Sequence, residues 1–154
     1  MARKPNTVGG GSKRNFNGLK FEARADLRDA IIVHPVYDLR NDKVYENGKV
    51  VAKYYEKHSL YKEFLAPNGV DYKNYLSKKL LPDGALLVGK TVYIIEKKYQ
   101  AGSGSVDEKL QTCDFKKKQY IKLFKPLNIK VEYYYVLNDW FRRPEYEDVF
   151  EYIE

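Results

Sequence analysis

The sequence predicts a single α/β domain, with a mixed central β-sheet flanked by helices. Three observations carry that expectation. Two apolar, β-prone runs at 85–88 and 91–95 are separated only by Gly89 and Lys90. A two-residue Gly-X link, with Gly taking the positive-φ position, is a hairpin signal. Apolar residues recur at helical spacing elsewhere, notably over 17–33 and 106–124. Finally, the order helix, hairpin, short helices, hairpin, helix, strand mixes the two kinds of element as layered α/β domains do.

Each element has its own signal. Residues 1–16 hold Arg3, Lys4, Lys13 and Arg14, no acid, and Gly9-Gly10-Gly11-Ser12. They read as a flexible basic arm ahead of a domain spanning 17–154. Lys13 and Arg14 are its candidates for phosphate contact. Leu19, Ala23, Leu27 and Ala30-Ile31 give 17–33 a helical stripe, and Pro35 ends it. Asn47-Gly48 between β-formers reads as a hairpin over 44–51. Residues 53–65 and 71–80 read as helices, the first stopping before Pro67-Asn68-Gly69. Pro82 leads into the second hairpin. Ser105 and Glu108 have capping-box spacing, so a helix is expected from 106 to 124. It ends near Pro126 and Asn128. A strand over 129–137, dense in Val and Tyr, and a terminal helix over 148–153 complete the domain.

Composition narrows the class. The chain has 154 residues, 44% hydrophobic and 15% aromatic, enough for one folded domain with its own core. The single cysteine, Cys113, excludes an intramolecular disulfide. His34 and His58 stand apart, so no zinc-ligand spacing exists. No apolar run approaches the ~20 residues of a membrane span, and no signal-peptide core is present. The expectation is a soluble protein of a reducing, cytoplasmic compartment with no membrane partner. A net charge of +7 suits a polyanionic partner, or simply keeps the protein in solution.

The chemistry concentrates around the second hairpin. If Val88 pairs with Thr91, counting outward sets Asp83 opposite Glu96. Directly opposed side chains have Cβ atoms roughly 5 Å apart, and two carboxylates that close need a cation between them. Side chains alternate along a strand. Lys98 therefore projects with Glu96, while Lys97 projects to the other face. The expected cluster is two carboxylates and one amine, and the carboxylates are hard oxygens suited to magnesium.

Leu81-Pro82-Asp83-Gly84 followed by Glu96-Lys97-Lys98, with 12 residues between Asp83 and Glu96, resembles the PD-(D/E)XK nuclease superfamily and most of all its type II restriction endonucleases. Residues 15–22 look like the first-helix segment of such enzymes, and 99–112 like the loop and helix after their catalytic strand. The resemblance implies a restriction-endonuclease-like fold and magnesium-dependent hydrolysis of double-stranded DNA, with manganese an accepted substitute. It implies Asp83 and Glu96 as metal ligands and Lys98 as the cation of catalysis. Glu22 would be an outlying acidic residue of the site, with Asp26 and Asp29 as competitors. Gln100 is a candidate contact to phosphate or metal-bound water, and Lys116, Lys117 and Lys118 are candidates for phosphate contact along the basic helix. One site per chain implies a homodimer for cutting both strands. Two other readings stay open. One is a structure-specific repair or recombination nuclease of the same fold; the other is a non-catalytic basic DNA-binding module.

Overall fold

Six strands form one sheet in the order β1-β2-β3-β4-β5-β6 in the computed structural model, which describes residues 20–21, 25–102 and 104–154. They are β1 (Tyr37–Arg40), β2 (Lys43–Glu46), β3 (Lys49–Tyr55), β4 (Gly84–Val88), β5 (Thr91–Lys98) and β6 (Lys130–Leu137). The first five pair antiparallel and β6 runs parallel to β5. This is the mixed sheet expected from the sequence. Its tight turns sit where small or polar residues accept a left-handed backbone: Asn41 at φ 56°, Asn47 at 50° with Gly48 at 77°, and Gly89 at 55°. A parallel neighbour cannot be reached by a short turn. The chain crosses from β5 to β6 through α3 (Val106–Leu110) and α4 (Cys113–Phe124); α1 (Leu27–Val33), α2 (Lys57–Ser59) and α5 (Glu147–Ile153) are the other α-helices among the described residues.

Alternation decides what each face buries. On one face Ala85, Val92 and Ile94 meet Tyr120, Leu123 and Phe124 of α4, with Leu60, Tyr61, Phe64 and Leu65 from the π-helical turn that continues α2. Full burial of such a side chain is worth about 1.5–3 kcal/mol. The other face packs Ile31 of α1 on Val44, Ala52 and Tyr54. A third cluster, Leu110, Phe141 and Tyr146, joins α3 to the C-terminal turns. No described helix is long and apolar enough to cross a membrane.

Several element boundaries depart from the sequence expectation, each for a local reason. The helix expected over 17–33 restarts within that span. Asp26 is extended, at φ −74° and ψ 120°, and its carboxylate accepts from the Arg28 and Asp29 N–H groups. Only part of the segment before it, Lys20 and Phe21, lies among the described residues, and both are helical. The arm, 1–16, lies outside them. Helix was expected from residue 53, but β3 continues to Tyr55 because Tyr54 and Tyr55 are buried there. Residues 71–80 make one 3₁₀ turn, Tyr72–Asn74, rather than a helix. The long helix expected over 106–124 breaks at Gln111-Thr112, where Thr112 Oγ1 donates to Lys109 O at 2.7 Å, a side-chain bond that competes with helix continuation. Ser105 makes no side-chain capping bond. Strand β1 was not anticipated; its Asn41-Asp42 turn is the signal that marks it.

Candidate active site

Glu96 continues the buried stripe of β5. Val92, Ile94 and Glu96 face the core, and Glu96 is 7% exposed. The β4–β5 register closes with Gly84 opposite Ile95, so Asp83 and Glu96 are the next two positions of the ladder. Two backbone anchors hold Asp83 there. The Lys97 N–H donates to Asp83 Oδ2 at 2.8 Å, and the preceding Pro82, itself buried, accepts from the Lys57 N–H at 2.9 Å. Lys57 takes φ 43° to make that reach, a backbone position that costs of order 1 kcal/mol in a non-glycine residue.

The cations around Glu96 come from two elements. Lys98 Nζ lies 3.1 Å from Glu96 Oε2 and also donates to Lys97 O at 3.1 Å. Lys116 Nζ, reaching down from α4, lies 3.3 Å from the same Oε2. Lys97 is on the opposite face, with its Nζ 3.4 Å from Asp26 Oδ2. Alternation along β5 therefore separates the two adjacent lysines as anticipated. One carboxylate oxygen shared by two ammonium groups offsets much of the desolvation penalty of burying it.

Tyr120 lies one helical turn beyond Lys116 on α4 and is fully buried. Its hydroxyl, like that of Tyr133, has no hydrogen-bond partner among the described residues. Burial pushes the Tyr120 hydroxyl well above its ordinary range, and the charges of Glu96 and Asp83 add to that shift. The phenol therefore stays neutral.

The remaining candidates scatter. Lys117 lies 3.5 Å from Glu132 on β6, and Lys118 pairs with Asp114 at 2.6 Å on the exposed surface. Successive helical residues point about 100° apart, so 116–118 do not form one basic face. Gln100, expected at a phosphate, is turned inward at 5% exposure. Its Nε2 donates to Gly102 O at 3.0 Å, while its backbone exchanges bonds with the Asn138 side chain at 3.0 and 2.8 Å. That exchange fastens the exit of β5 to the exit of β6. Glu22, Lys13 and Arg14 lie outside the described residues.

The donor set fits magnesium in kind. Asp83 and Glu96 are hard carboxylate oxygens at one strand end, and magnesium is commonly held by one or two carboxylates, with waters and substrate phosphates completing the shell. Among the described residues no three of His, Cys, Asp and Glu form a group that could hold a metal ion, so a cation here would rest on these two carboxylates. Sequence reasoning did not bring Lys116 to Glu96 or single out Tyr120, which lies in the core beside it. Their i, i+4 spacing was the available signal, since it sets both on one face of α4. No family model matches the chain, and no curated protein matches it.

Proposed function

We propose that this chain is a magnesium-dependent DNA endonuclease of the PD-(D/E)XK kind, most like a type II restriction enzyme. The observation that carries the proposal is the Glu96 carboxylate. It is buried at the end of a central strand, next in register to Asp83, with Lys98 and Lys116 on a single oxygen. Asp83 and Glu96 would hold the ion. The chemistry supplied by bound magnesium is polarisation of the scissile phosphate and acidification of a water. The water oxygen forms a bond to phosphorus as the P–O3′ bond breaks. The products are a 5′-phosphate and a 3′-hydroxyl, and the water's proton is passed on to the leaving oxygen through solvent. Lys98 places a positive charge where the phosphoryl oxygens gain negative charge. Two copies on a two-fold-symmetric duplex site would cut both strands.

Digestion of long, mixed-sequence DNA with and without magnesium tests the reading. Discrete fragments that need the ion are the expected result. Asp83→Ala and Glu96→Ala should each abolish cutting and leave DNA binding largely intact. Near-normal cutting by either variant, or no metal-dependent cutting by the wild type, would leave these groups as a structural ion cluster between α4 and the sheet.

A further inference from the structure

Glu96 Oε2 serves two ammonium groups, and they are not equivalent. Lys98 sits on the same strand and keeps a second acceptor, the Lys97 carbonyl. Lys116 reaches from another element, is the more exposed of the two at 24% against 17%, and has no second acceptor among the described residues. Two carboxylates and two ammonium groups leave the cluster close to neutral. A divalent ion ligated by Glu96 would meet both ammonium groups at short range. At 3–4 Å in a partly buried setting, that repulsion disfavours keeping both ammonium groups in place. The group that is more exposed and has no other acceptor among the described residues is the one to leave.

We propose that Lys116 exchanges partners during the reaction. It neutralises Glu96 while the metal is absent. When metal and DNA arrive, it moves onto a non-bridging oxygen of the scissile phosphate, so α4 supplies a second catalytic ammonium beside Lys98. This rests on the nuclease reading and deepens it. Hydrolysis of a phosphodiester by hydroxide passes through a phosphorane-like state with close to two negative charges, against one in the substrate. A cation freed at that moment favours the transition state over the ground state. The flexible four-carbon stem of lysine permits the swing without movement of α4.

The exchange makes two opposite demands on Lys116, and that separates it from a structural role. Lys116→Gln should bind Mn²⁺ roughly tenfold more tightly than the wild type in the absence of DNA, by isothermal titration calorimetry, because a competing charge is gone. The same variant should cleave about 10²-fold more slowly in single turnover at saturating DNA and Mn²⁺. Lys116→Arg should keep most of the rate, and Lys116→Met should reproduce the glutamine result with a different side chain. A wild type that binds Mn²⁺ and cuts, beside a Lys116→Gln variant with unchanged or weaker Mn²⁺ affinity or with a rate within twofold, overturns the exchange alone. A wild type that neither binds Mn²⁺ nor cuts overturns the nuclease reading and the exchange together.

Discussion

Glu96 stands where another aliphatic side chain would extend the Val92 and Ile94 stripe, and Tyr120, near enough to feel its charge, has a buried hydroxyl with no hydrogen-bond partner among the described residues. A buried hydroxyl without a partner forfeits about 1–3 kcal/mol. Tyr120→Phe should therefore leave the unfolding free energy unchanged or raise it by up to ~1 kcal/mol in urea titration. A loss above ~1 kcal/mol would mean that the hydroxyl is satisfied by a held water. Alternation along one strand made the Lys98–Glu96 contact and the register place of Asp83 opposite Glu96 legible, since a period of two and one turn fix which side chains share a face. The same rule set Lys97 aside, and it lies against Asp26. Lys116 was not legible in that way. Its contact to Glu96 spans 20 residues and two elements, and in sequence it is one lysine in a run of three. Asp26 was hidden for a related reason, because helical spacing continues across it and only its capping bonds reveal the break.

Elements position these residues, and the two ends of the β4–β5 hairpin do so differently. At the turn, Gly89 takes φ 55° with open space around its missing Cβ. Gly89→Ala should cost about 1 kcal/mol from backbone strain alone, with cutting at saturating magnesium little changed, because the site lies at the other end of the hairpin. At that other end, a Cβ on Gly84 would meet the buried Tyr54 ring at 3.3 Å. Gly84→Ala should cost a similar or larger amount, about 1–3 kcal/mol, and should also slow cleavage, since the strain falls beside Asp83. Comparable rates for the two variants at matched stability would argue against a tightly held Asp83. Asp26→Ala removes the cap of α1 and the partner of Lys97, and should lower stability by about 1–2 kcal/mol in the same titration. Hairpins were the elements that the sequence revealed best, through Asn-Gly and Gly-Lys turns. Helix ends were harder, because Thr112, Tyr54 and Tyr55 act through a side-chain bond or burial that a periodic pattern does not contain.

Over the whole molecule, charge is distributed more unevenly than the net +7 conveys. The first 21 residues hold five of the 28 basic side chains and none of the 21 acids, which leaves 23 basic against 21 acidic, a net of +2, for the rest. Of the candidate phosphate contacts on α4, Lys116, Lys117 and Lys118 each already face an acid and so add little to that balance. Non-specific attraction to DNA should therefore reside mainly in the N-terminal segment. Each phosphate neutralised by a lysine or arginine contributes about 0.9 to the slope of log affinity against log salt on duplex DNA. Deleting residues 1–16 removes Arg3, Lys4, Lys13 and Arg14. The slope should then fall by roughly two to four units, with affinity lost chiefly at low salt. Lys118→Ala should change the slope by less than one unit. Cleavage by the truncated protein at saturating DNA and low salt should survive, because Asp83, Glu96, Lys98 and Lys116 all lie beyond the deletion. Binding curves across a salt series, with full-length and truncated protein side by side, provide the measurement. An unchanged slope would place the phosphate contacts on the folded domain and leave the basic N-terminal residues without a role in holding DNA.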